Sequence, residues 1–67
     1  MRRLKINDDG KERKVEYVKE IIHQVPDIYG NIVDEEYVEI MVIGKNWNWK
    51  KWIPLEDFKK ENPEVEL

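Results

Sequence analysis

The 67-residue chain has no serine, threonine, cysteine or alanine, and only one histidine. Without Ser, Thr or Cys, no hydroxyl or thiol nucleophile of the kind that a neighbouring base activates can be assembled. Acyl-transfer chemistry of the serine and cysteine type is therefore excluded, and the chain is expected not to be an enzyme. The lack of cysteine also removes disulfides, thiolate metal sites and redox pairs, and nothing points to an oxidising compartment. A cytoplasmic, intracellular location is the expectation. The three glycines, at 10, 30 and 44, are isolated, and no Gly-Lys-Ser/Thr phosphate loop can be written. The longest apolar run is Ile40–Ile43, far below the roughly 20 residues of a membrane-spanning helix. No membrane span is expected. The basic start leads directly into Asn7-Asp8-Asp9-Gly10 instead of an apolar stretch, so no signal peptide is expected either.

What is present is charge and bulk. Charged and hydrophobic residues each make up 40% of the chain, the balance of a folded domain with a highly charged surface. The length fits a single domain over residues 1–67, close to the lower limit at which one core suffices unaided. The net charge of −3 does not mark a nucleic-acid binder. Its distribution is banded: residues 26–43 carry five carboxylates and no basic group, whereas 44–60 carry five lysines and two carboxylates.

The clearest element is a β-hairpin. Tyr37–Ile43 is rich in β-branched residues, and Trp47–Ile53 follows after Gly44-Lys45-Asn46, a spacing that suits a three-residue loop. That loop sets Ile43 opposite Trp47, Met41 opposite Trp49, Glu39 opposite Lys51 and Tyr37 opposite Ile53. All four pairs are compatible, whereas a two-residue loop would set Glu39 against Trp52. Val38, Ile40 and Val42 then make the first strand apolar on both sides and central.

Asp8-Asp9-Gly10 signals a turn after a first strand at Arg2–Ile6. The next segment, 14–25, admits two readings. Val15, Val18, Ile21, Ile22 and Val25 draw a helical stripe ended by Pro26, giving an α+β alternative with a helix at 12–24 packed on the hairpin. As a strand, Val15, Tyr17, Ile21 and Val25 share one face, and the β-branched content with no Ala or Leu favours this reading. Pro26–Asn31 is a loop with Gly30-Asn31 able to take positive φ. Leu55–Lys60 forms a short helical turn after Pro54, and Glu64–Leu67 alternates as a short edge strand. The class is therefore all-β, with a strongly bent antiparallel sheet. Over residues 15–67 the order of elements resembles an SH3-like small barrel, in which a short helical turn precedes the final strand. This resemblance implies a fold and no function.

His23 has no second His or Cys with which to build a metal or catalytic site, and reads as a partly exposed sheet-face residue. The carboxylate clusters Asp8-Asp9 and Asp34-Glu35-Glu36 lack calcium-loop spacing and read as solvated charges. No catalytic, metal-binding or cofactor-binding residues are expected. The segment that stands out is Lys45-Asn46-Trp47-Asn48-Trp49-Lys50-Lys51-Trp52. Basic residues interleaved with aromatics suit single-stranded nucleic acid, and aromatic anchors with a charged rim suit a protein partner. Two of the three tryptophans are expected in the core and one partly outside. Lys45, Trp47, Trp49, Lys50, Lys51 and Trp52 are thus the candidate partner-binding residues. The leading expectation is a non-catalytic protein-interaction or accessory module that binds another protein or itself. The alternative is a nucleic-acid-binding small barrel, disfavoured by net charge.

Overall fold

A computed structural model describes residues 4–67; Arg2 and Arg3 of the expected first strand lie outside the described residues. Four strands, β1 (Leu4–Asp8), β2 (Lys11–Pro26), β3 (Ile32–Val42) and β4 (Trp49–Pro54), are followed by one helix, α1 (Leu55–Glu61). The strands form a single antiparallel sheet in sequential order. Curled into a half-barrel, it is consistent with a small all-β, SH3-like fold. The chain closes with α1 lying on the sheet: residues 64–67 pair with no strand, and Val65 instead packs against the core.

Local chemistry explains the turns. Asp9 and Gly10 both have positive φ, 52° and 80°, the pattern of a type I′ hairpin turn whose twist matches that of its strands. At the far end, the Asp27 carboxylate accepts hydrogen bonds from the Tyr29 and Asn31 amides at 2.8 and 2.9 Å, and Gly30 takes φ 82°. The side chain closes that loop as an Asx turn.

Residues 14–25 are strand. A β-bulge is the reason their spacing looks helical: Val15 pairs with Val42 and Val18 with Ile40, so two residues of β2, Glu16 and Tyr17, oppose Met41 alone. The extra residue re-phases the strand and turns Val15 and Val18, three apart, to the same inner face. Tyr17, Lys19, Ile21, His23 and Val25 consequently lie on the outer face, opposite to Val15, with which the sequence grouped three of them.

The β3–β4 register also differs from the expectation. Val42 pairs with Trp49, Glu39 with Trp52 and Val38 with Ile53, one step from the three-residue-loop register. Residues 43–48 form a longer connection. Gly44 permits it, since a Cβ there would collide with the Trp47 carbonyl oxygen. Two gains favour the shift. Ile53 moves to the inner face, where it is buried beside Val38, and the supposed mismatch of Glu39 with Trp52 becomes a hydrogen bond from the indole Nε1 to Oε1 at 3.1 Å.

The core sits between the inner face and α1. It comprises Ile6, Val15, Val38, Ile40, Val42, Ile53 and Phe58, with Leu4, Val18, Trp49, Leu55 and Val65 packed around it. Contrary to the expectation of two core tryptophans, only Trp49 approaches the core; Trp47 and Trp52 are 68% and 47% exposed. Phe58 supplies the bulk, carried in by α1. The helix has Glu56 and Asp57 in its first turn and Lys59 and Lys60 in its last, each complementing the helix dipole.

Candidate functional site

The outer face of the sheet holds a cluster of polar aromatics around one carboxylate. Strand alternation sets Tyr37, Glu39 and Met41 of β3 outward, between Lys19, Ile21 and His23 of β2 and Lys50 and Trp52 of β4. The bulge brings Tyr17 onto the same face. Glu39 is the hub. Its Oε2 accepts the Tyr17 hydroxyl at 2.7 Å and lies 3.7 Å from Lys19 Nζ, while its Oε1 accepts the Trp52 indole. The tyrosine bond above all, then the indole bond, holds the Glu39 carboxyl below the usual range, with the charges of Lys19 and Lys50 assisting against partial burial. The same bond raises the Tyr17 phenol, with burial and the charges of Glu39 and Glu16 adding to it.

Trp52 is fixed from two further sides. The His23 ring meets it edge-on at 5.5 Å between centroids, and the Tyr37 ring lies tilted at 5.7 Å, both within the range of favourable aromatic pairs. Tyr37 in turn donates its hydroxyl to Glu35 Oε1 at 3.0 Å. That hydrogen bond, then burial and the Glu35 charge, raises its phenol above the ordinary value. The outcome is a large amphipathic ring, nearly half exposed, whose position is set by three neighbours.

The six residues singled out from sequence do not form one surface. Trp52 and Lys50 share the outer face. Trp49 and Lys51 lie on the inner face, where each has a structural partner. The Arg13 guanidinium stands 5.2 Å from the centre of the Trp49 ring, and Lys51 Nζ lies 2.6 Å from Asp8 Oδ2. Asp8 also accepts from Arg13 Nε at 2.7 Å. Lys45 and Trp47 lie exposed in the β3–β4 connection. Tyr17, His23, Tyr37 and Glu39 belong to the candidate site but did not stand out in the sequence, because the bulge hides their common face and the one-step register shift hides the contact with Trp52.

A groove of about 430 Å³ at the β4–α1 junction is lined by Asp8, Lys51, Asp57, Lys60 and Glu61 among others. Its deepest charges, Asp8 and Lys51, are already paired. Among the described residues, no group of three or more His, Asp or Glu is placed to hold a metal ion, and no helix is long and apolar enough to cross a membrane. No protein-family model, curated protein or solved structure matches the chain. The functional reading therefore rests on the residues themselves.

Proposed function

We propose that this chain is a non-catalytic protein-interaction or accessory module of the cytoplasm that binds a protein partner through the outer face of its sheet, with Trp52 as the anchor. The supporting observation is the state of Trp52. Its ring is 47% exposed, yet His23, Tyr37 and Glu39 fix its orientation. A pre-positioned aromatic offers apolar area without a large ordering cost on binding, the property of interface hot spots. Lys19, Lys50 and Glu35 supply a charged rim. The reading is tested by affinity capture from the native host with the full chain and with Trp52→Ala. A partner enriched by the first and lost by the second is the expected result. Capture that is indifferent to Trp52 counts against this face.

A second reading has one specific support. Lys5 and Lys14 are directly paired across β1 and β2, both outward, and Lys50 lies on the same face. Like charges opposed across a ladder destabilise it; the exposed Glu12 carboxylate, 3.7 Å from Lys5 Nζ, offsets this only weakly, and a bound anion would cover both lysines. Single-stranded nucleic acid would do so, stacking a base on Trp52. Lys51, included in the expected nucleic-acid surface, points inward to Asp8 and has no part in this version. Titration with single-stranded DNA and RNA at low salt tests it: binding must quench Trp52 and weaken steeply as salt rises, and an unchanged emission removes the reading.

A further inference from the structure

The β2–β3 hairpin outruns the rest of the sheet. β1 pairs with β2 only along Lys11–Val15, and β4 pairs with β3 only along Tyr37–Val42. From Ile22 opposite Glu36 to Pro26 opposite Ile32, the described sheet is two strands wide, an arm that helps draw the molecule out to 43 × 26 × 22 Å. A two-stranded ribbon is marginal in water unless a third strand or a packed cover supports it. α1 rests on β1, β3 and β4 and provides no cover for the β2 half of the arm.

The side chains of the arm are not those of a solvated ribbon. Ile22 and Ile32 are 65% and 64% exposed, and Ile28, Tyr29 and Val33 are exposed as well. Among the described residues, neither edge of the arm pairs with a further strand, and the two edges differ in charge. The β3 edge carries Asp34, Glu35 and Glu36 in succession, which repel another copy of that edge and block its pairing. The β2 edge from Val18 to Pro26 carries one lysine, one glutamate and His23.

We propose that two copies of this chain associate by antiparallel pairing of their β2 edges centred on Ile22, joining the two arms into the four-stranded middle of one continuous sheet. Charge removes several registers, and centring on His23, which opposes no like charges, sets the exposed Ile22 against Gln24 and carries Lys19 past the end of β2 at Pro26. Centring on Ile22 sets Ile22 against its counterpart, Ile21 against His23, Glu20 against Gln24 and Lys19 against Val25. Centring on Glu20 or Lys19 opposes identical charges, centring on Val18 opposes Glu16 to Glu20, and centring on Ile21 sets Glu20 against Ile22 and Lys19 against His23. The pairing gives each arm the third strand it lacks and brings four isoleucines, two from each copy, to the junction. It leaves the Trp52 surface open and does not depend on what that surface binds.

Sedimentation equilibrium of the full chain tests the proposal, with a reversible monomer–dimer equilibrium as the expected result. Ile22→Lys replaces an exposed side chain, leaves the far-UV circular dichroism unchanged, and weakens the dimer about 100-fold by opposing two lysines. Ile22→Glu alone does the same. Mixing the two variants restores a heterodimer, because residue 22 faces residue 22. Trp52→Ala leaves the dimer intact. A strict monomer up to about 1 mM, equivalent to a binding free energy weaker than about 4 kcal/mol, overturns the proposal, as does a dimer that is unaffected by Ile22→Lys or a mixture of the charge variants that stays monomeric.

Discussion

Asp8 on β1 and Lys51 on β4 are joined by a 2.6 Å salt bridge across the inner side of the sheet, although the two strands are not neighbours. Asp8 is 5% exposed and is also held by Arg13. Burial works to raise its carboxyl, but the hydrogen bonds from Lys51 and Arg13, together with their charges, outweigh burial and hold it below the ordinary value.

Asp8→Asn is therefore expected to lower stability at neutral pH by about 2 kcal/mol, since two cations lose their shared counter-charge. The pH dependence has a definite sign. A group whose folded pKa is depressed contributes its stability above the unfolded pKa, about 3.9 for Asp, and loses it as pH falls through the folded value. The gap between wild type and Asp8→Asn stays constant above about pH 5 and closes below about pH 4. Urea denaturation at pH 7 and pH 3 measures it; a gap of equal size at both pH values contradicts the assignment.

Asn62 makes the other long-range polar link. It is 1% exposed; its Oδ1 accepts the Asn7 amide at 2.7 Å, and its Nδ2 donates to the Asn7 carbonyl at 2.9 Å. The side-chain amide thus pairs with β1 as a neighbouring peptide group would and fastens the end of α1 to the strand. Asn62→Ala is expected to cost about 2 kcal/mol by leaving two backbone groups unpaired. Asn62→Asp, nearly isosteric but unable to donate when ionised, should also destabilise at neutral pH. Thermal melts of the two variants distinguish loss of this pairing from loss of volume, for which Asn62→Asp would be neutral.

Much of this architecture was readable from the residues alone, and the failures share a cause. The Asp9-Gly10 turn, the central β3 strand and the short helix after Pro54 follow from local preferences, and the structure has all three. The Trp52 cluster does not, because it depends on register. Tyr17, Lys19, Ile21 and His23 share a face by simple alternation, but a bulge that local sequence does not mark turns that face outward, away from Val15. Glu39 opposite Trp52 resembles a mismatch until the indole N–H is counted as a donor. Counting compatible side-chain pairs favoured the other register by leaving out that donor and the inner-face burial of Ile53.

Glu39→Gln isolates the polar centre of the outer face. In the wild type, the hydrogen bond to Glu39 keeps the Tyr17 phenol protonated to higher pH than a free tyrosine, whose pKa is about 10. A raised folded pKa contributes stability below the unfolded pKa and loses it as pH rises through the folded value. With a neutral amide at position 39, the Tyr17 titration is expected to move back towards the free value. Tyrosinate absorbance against pH, compared with a Tyr17→Phe control, reads the shift. A titration that is the same in Glu39→Gln and wild type would show that the carboxylate is not what holds the phenol.

Trp49 and Trp52 stand three residues apart on one strand and are predicted to behave oppositely. Trp49 packs against the core beneath Arg13, so Trp49→Ala removes buried apolar area and a cation–π contact, at a cost of about 2 to 3 kcal/mol for a half-buried ring. Trp52 lies on the outer face at 47% exposure, so Trp52→Ala should cost about 1 kcal/mol from the lost aromatic contacts. The fluorescence change points the other way: an external quencher should reach Trp52 readily and Trp49 poorly, so most of the quenchable emission disappears when both Trp47 and Trp52 are replaced. With Val38 facing the core, as it does, the register expected from sequence would bring Trp52 inside opposite Val38 and turn Trp49 outward with Met41, which would make Trp52→Ala the more damaging substitution. Denaturation midpoints of the two variants therefore test the strand register itself, and a larger loss in Trp52→Ala would refute the pairing of Glu39 with Trp52.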